Sequence, residues 1–208
     1  MKKNNGLILS LMCYIVVFIM IQFGISLVAL YLDDSIKHPA SASPTALSLS
    51  SAVASIVIIG LFLWRKWSPV SRHYLQQHPW GVLVWTILAA LGAILPLQWI
   101  YEQLNITVAD NVKQLFDSIL GSRWGYLALG ILAPVAEELV FRGAILRCLL
   151  AYFNNRLPWI PIVVSALLFG AVHANLAQFV NASTMGLLLG WLYYRTHRVV
   201  PGVIFHWA

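Results

Sequence analysis

Between Leu7 and Leu32 the chain runs without a charged residue. That stretch exceeds the roughly 20 apolar residues with which an α-helix crosses the hydrocarbon core of a bilayer. Inside such a medium the backbone must satisfy its own hydrogen bonds, which restricts a spanning segment to a helix or a closed barrel. Further apolar windows follow at 45–64, 80–101, 124–150, 158–172 and 176–194, with a shorter one at 199–208. Of the 208 residues, 60% are hydrophobic and 10% charged, against about 25% charged in soluble domains. A core of this size cannot hide so many apolar side chains from water. A soluble enzyme, a disulfide scaffold and a disordered tail are therefore excluded. The predicted fold class is all-α, a polytopic membrane helix bundle of about seven spans, the last short or truncated. Residues 1–123 hold the N-terminal spans and 124–208 the core that carries the chemistry, within one membrane domain.

Segment 102–122 is different. Its apolar residues (Leu104, Ile106, Val108, Val112, Leu115, Phe116, Ile119) alternate with polar ones, which predicts an amphipathic helix at the interface or against the bundle. Lys2 and Lys3, then Arg65, Lys66 and Arg72, then Arg147 and Arg156, then Arg195 and Arg198 fall in alternate loops, which puts the N-terminus in the cytoplasm. The net charge of +6 is spread over these clusters without a continuous basic face, so no nucleic-acid partner is expected. The basic start resembles a signal peptide, but its apolar run is too long, so a retained first span is predicted. Cys13 and Cys148 lack metal-ligand spacing and read as buried free thiols.

The exceptions to the apolar pattern point to function. Glu137 and Glu138 lie near the middle of the fourth span, where each charge costs about 2.5–3.5 kcal/mol to insert. Polar contacts between membrane helices return only about 0.6 kcal/mol on average, so helix gluing alone does not account for two adjacent acids. Arg142, four residues after Glu138, falls on the same helical face with the acid N-terminal. The expected division of labour has Arg142 holding Glu138 while Glu137 is left free for chemistry. Pro134 removes a helix hydrogen bond to Gly130 and is expected to kink the span beside the acids. Phe169 and His173 are four apart at the end of the fifth span, and His206 lies in the last segment. Asn175, Gln178 and Asn181 are weaker candidates, since amides commonly cap or bridge helices. His38, His73, His78 and His197 are assigned no role.

A carboxylate and two imidazoles in a membrane allow two chemistries. Glu137, His173 and His206 ligate a divalent metal such as zinc if one is bound, leaving an open position for water. Without a metal, Glu137 deprotonates water and the imidazoles stabilise the oxyanion. No serine elbow, no His-Glu-x-x-His and no aspartate within a span is present, so the nucleophile is water. A non-catalytic membrane protein that binds a peptide in the same cavity, or confers immunity to one, is a separate alternative. An ion or proton pathway through the two glutamates is a further one.

At these positions the chain resembles the CPBP family of intramembrane proteases, which includes the CAAX prenyl endopeptidases and the bacterial Abi proteins. The first motif of the family, Glu-Glu-x-x-x-Arg, is matched by Glu137, Glu138 and Arg142; the second, Phe-x-x-x-His, by Phe169 and His173. Of the third, His-x-x-x-Asn or Asp, only His206 is present. Its amide falls beyond Ala208, so the chain is expected to continue past that residue. The resemblance covers roughly 120–208. It implies an endopeptidase in which Glu137 and His173 activate water, Glu138 and Arg142 support them, and His206 stabilises the oxyanion. It also implies a membrane-associated peptide or protein substrate in a bacterial cell membrane, in the maturation of a peptide signal or bacteriocin or in immunity to one. Whether a metal takes part is left open by the resemblance.

Overall fold

The computed structural model describes residues 2–38, 41–70, 79–107, 110–154 and 156–208. Arg72, His73, His78 and Val108, named above, lie outside these. The described residues contain helices and connecting turns but no strand: α1 (Lys2–Leu32), α2 (Pro44–Trp64), α3 (Trp80–Gln103), α4 (Asp110–Leu120), α5 (126–152), α6 (Trp159–Ala171), α7 (Leu176–Thr196) and α8 (Val200–Trp207). Each of the seven apolar windows is helical, and α4 is the amphipathic segment. On length and composition, Gly6–Leu32 in α1, together with α2 and α3, can cross a membrane. The 13 residues of α6 reach only about 20 Å at 1.5 Å per residue, short of the hydrocarbon thickness. Large apolar side chains such as Leu9, Met20, Trp64 and Leu95 face outward, as lipid-facing surfaces require. The chain is an integral membrane protein.

Local chemistry explains where the helices begin and end. The Ser43 hydroxyl accepts the Ala46 N–H with Pro44 in the first turn of α2, a cap that satisfies a donor the helix itself cannot. Asn175 caps α7 by accepting the Gln178 N–H at 3.2 Å, and α7 stops where His197 turns left-handed at φ 51°. Asn175 is thus a structural residue. His197 packs against Tyr193 and Tyr194, away from the acids.

The α5 run does not wind uniformly. Tyr126–Leu132 and Leu139–Leu146 are π-helical, whereas Ala133–Glu138 and Arg147–Tyr152 are α-helical. The helix continues through Pro134, the residue at which a kink was expected above. The wider winding absorbs it: the Ala133 N–H reaches back five residues to the Ala128 carbonyl. π-Turns of this kind occur preferentially at functional sites. Here one lies on each side of the acid pair.

The core forms where α1, α2 and α6 close around α5. Phe18 meets Phe141 edge-on at 5.4 Å between centroids, and Phe141 meets Phe169 at 5.0 Å. The Ser165 hydroxyl donates to the Phe141 carbonyl at 3.1 Å, tying α6 to the π-turn. Helices α6 and α7 approach closely because Gly186 leaves room for the backbone of Ala166, the small-residue packing typical of membrane helices. At one end of the bundle Arg147 donates to the Trp67 carbonyl at 2.7 Å and the Cys148 thiol to the Leu7 carbonyl at 3.4 Å. The ends of α1, α2 and α5 that carry basic residues thus share one face. Both cysteines are free, but Cys13 is exposed and Cys148 half-buried, a correction to the buried reading. A thiol on a lipid-facing helix surface has no burial to gain.

Candidate active site

Glu138 and Arg142 project from consecutive turns of α5, and an ion pair of 2.7 Å joins Arg142 Nη1 to Glu138 Oε1. Both are buried, at 0% and 1% exposure. The guanidinium also stands over the Phe169 ring, with Cζ 4.4 Å from the centroid, a cation–π contact strengthened by its dry surroundings. The tight fit continues on the far side. Gly202 of α8 abuts the Glu138 carboxylate so closely that a Cβ there would overlap Oε2.

Glu137, one position earlier, is 18% exposed and opens onto a cavity. His206 stands between the two acids: its Nε2 is 3.7 Å from Glu137 Oε2 and its Nδ1 3.9 Å from Glu138 Oε1. His173 follows α6, and its Nδ1 lies 2.8 Å from the Phe169 carbonyl. A carbonyl only accepts, so Nδ1 carries a proton, and in the neutral imidazole Nε2 is the acceptor. Phe169 touches both imidazoles edge-on, at 5.2 Å for His173 and 5.9 Å for His206. The aromatic residue four before His173 is therefore a hub that contacts Arg142, His173 and His206 together.

Two cavities meet this cluster. One, of about 190 Å³, is lined by Phe116, His173, Gln178, Asn181, Met185 and His206 among others. The other, of about 390 Å³, runs along α1 and is lined by Gln22, Ser26, Glu137 and His173 with apolar neighbours. Glu137, His173 and His206 come from three helical regions to adjoining space, and Gln178 and Asn181 join them. A much larger apolar groove of about 1000 Å³ lies between α3 and α7, with Phe205, the neighbour of His206, in its wall. The sequence reading missed Gln22, Ser26 and Phe116. A signal for the first two was present, since Gln22 and Ser26 are polar residues four apart on one face of a span that lacks any charge.

Among the described residues no three His, Cys, Asp or Glu side chains form a group that could hold a metal ion. Glu137, His173 and His206, the ligand set considered above, do not make a preformed metal centre in this arrangement, so the roles that follow rest on the side chains of the chain itself.

The comparisons with known proteins agree with the motif reading. The profile of the Rce1-like family, type II CAAX prenyl endopeptidases, matches residues 119–208. The chain is 27% identical over 126 residues to UPF0177 protein YbdI of Lactococcus lactis, covering 60% of this chain and 66% of that protein. It is 28% identical over 98 residues to "Putative membrane peptidase YdiL" of Bacillus subtilis, covering 47% of this chain and 39% of that protein. The matching stretches thus span less than two thirds of either relative. No solved structure matches the chain significantly. Residues 119–208, which carry both acids, Arg142, Phe169 and both site histidines, are thus similar to the Rce1-like type II CAAX prenyl endopeptidases, consistent with the resemblance to the CPBP family.

Proposed function

We propose that the chain is an intramembrane endopeptidase that cleaves a membrane-associated peptide or protein with activated water. The observation that carries this reading is the meeting of Glu137, His173 and His206 around adjoining cavities, with Nε2 of His206 3.7 Å from Glu137. Water held between Glu137 and Nε2 of His173 gives a proton to the Glu137 carboxylate as its oxygen bonds to the scissile carbonyl carbon. The oxyanion accepts an N–H from His206. The C–N bond then breaks, and the proton on Glu137 passes to the departing amine. Glu138 and Arg142 act as positioning residues: their buried pair fixes the α5 turn from which Glu137 projects and fills the space under His206.

The basic ends of α1, α2 and α5 face the cytoplasm in this reading, by the positive-inside rule. Both relatives named above come from bacteria, which supports a substrate made in a bacterial membrane, such as a precursor of a secreted peptide or bacteriocin. The test is the Glu137→Gln protein, purified with unchanged thermal unfolding and assayed against candidate precursors in liposomes. Cleavage should fall by at least 10³-fold, an order of magnitude within the range for loss of a general base and its activated water. Undiminished cleavage overturns the assignment. Unaltered function in cells with no cleavage at all favours a peptide-binding role.

A further inference from the structure

The α1 helix lies outside the segment that matches the family, yet it closes one side of the site. Its inward face changes character along its length. Leu11, Tyr14, Ile15 and Phe18 pack into the aromatic core, and the next two turns of the same face present Gln22 and Ser26. These two line the 390 Å³ cleft with Glu137 and His173. Neither side chain has a hydrogen-bond partner among the described residues. Some hydroxyls elsewhere in the bundle are paired, since Ser10, Thr86, Thr184 and Thr196 each donate to the carbonyl four residues back, whereas the buried Ser55 and Ser183 hydroxyls also lack a partner. What sets Gln22 and Ser26 apart is that they line an open cleft with Glu137. An amide and a hydroxyl unpaired in hydrocarbon cost several kcal/mol, so this face of α1 requires a polar occupant. The cleft is apolar over much of its wall, but four polar side chains, Gln22, Ser26, Glu137 and His173, converge on it, and it has room for on the order of ten waters at about 30 Å³ each.

We propose that Gln22 and Ser26 form the aqueous access to the site, a wetted face of α1 that holds and delivers water to Glu137 and His173. The delivery role rests on the hydrolytic reading above; the hydration of the cleft does not. Glu137 is reached from this side, whereas His206, Gln178 and Asn181 line the second cavity. Water thus reaches the cluster from the α1 side, and α1 acts as the wall that keeps lipid out of this cleft. Gln22 and Ser26 are positioning residues for water, since neither donates to or accepts from a reacting protein group.

The experiment uses the full chain in liposomes with Cys13 and Cys148 replaced by alanine. Single cysteines are introduced by Gln22→Cys, Ser26→Cys and, as a lipid-facing control on the same helix, Met20→Cys, since Met20 is 67% exposed and outside the cleft. A small hydrophilic maleimide should label positions 22 and 26 at least tenfold faster than position 20. Rates within twofold of one another overturn the proposal. In the cysteine-containing chain, the paired Gln22→Leu and Ser26→Ala changes should lower kcat for a membrane-anchored reporter peptide at least tenfold with KM within twofold. Gln22→Asn should recover at least a third of the loss. An unchanged kcat beside fast labelling overturns the delivery role. Labelling repeated in Glu137→Gln protein keeps the two readings apart. A lost labelling ratio there counts against the wetted cleft, while persistent cleavage by that variant counts against the catalytic reading.

Discussion

Replacing Arg142 with methionine, a side chain of comparable length without charge, should be among the most destabilising single changes available in this chain. The guanidinium is 1% exposed, pairs with a fully buried Glu138 at 2.7 Å and lies 4.4 Å from the centroid of Phe169. Its removal leaves the Glu138 carboxylate without its partner in a water-free core, a loss of about 3–5 kcal/mol. That is at least a hundredfold in the unfolding equilibrium, at tenfold per 1.4 kcal/mol. Replacing both partners, Glu138→Leu with Arg142→Met, removes the charge together with its counter-charge and should cost under about 1 kcal/mol, since buried pairs of this kind are often dispensable to stability. The coupling between the two sites is then about 2 kcal/mol or more. Reversible unfolding in mixed micelles reads the parent, the Arg142→Met and Glu138→Leu single variants and the double variant, the four corners of the cycle. The double variant should also remain unable to cleave substrate despite its recovered stability, because Glu138 stands 3.9 Å from His206 and the pair sets the turn that presents Glu137. A single Arg142→Met cost below 1 kcal/mol, or a double variant as unstable as the sum of the singles, refutes the reasoning.

Gly202→Ala should lower cleavage about 10²-fold, the scale of a 1 Å misplacement. The added Cβ meets Glu138, which the ion pair prevents from yielding, and α8 must lift His206 away; activity within twofold of the parent shows that α8 has slack. Gln178→Leu and Asn181→Leu should each raise KM about fivefold, corresponding to about 1 kcal/mol for a lost hydrogen bond to substrate backbone, with kcat changed less; equal loss in kcat argues against a binding role. In the turn between α1 and α2, Asp33 accepts hydrogen bonds from the Ser35 hydroxyl, the Ser43 N–H and the Ser43 hydroxyl, which hold its carboxyl below the usual range. A carboxyl with a lowered folded pKa contributes stability above its unfolded value of about 3.9 and loses it as pH falls through the folded value. Stability of the parent should therefore decline below about pH 4 more steeply than that of Asp33→Asn, as measured by thermal unfolding across pH 3–7.

Much of the site was legible in the chain itself. An acid pair inside an apolar run is costly enough to demand a reason, and helical spacing alone joined Glu138 to Arg142, which the fold places at 2.7 Å. His173 and His206 stood out for the same cause. The amides were harder to sort, because Asn175, Gln178 and Asn181 differ in role only by where the start of α7 falls: the first caps it, and the other two face the cavity. The winding of α5 was not legible. Pro134 signals a missing hydrogen bond, but a missing bond does not say how the adjoining turns wind, and here they are π-helical on either side of the Ala133–Glu138 segment. Phe169 read only as a motif position, and its contacts with Arg142 and both imidazoles appear only when α5, α6 and α8 are brought together.

Sequence alone determined the medium and the elements. The energy of placing apolar or charged side chains in lipid is local to each residue, so runs of composition reveal helices and isolated charges reveal their cost. Tertiary structure alone decided which groups meet. The approach of His206 to Glu137, the seat of Gly202 against Glu138 and the polar face that α1 turns toward the acids depend on helices far apart in the chain. Such contacts are set by packing, a property of pairs of surfaces that no single segment contains.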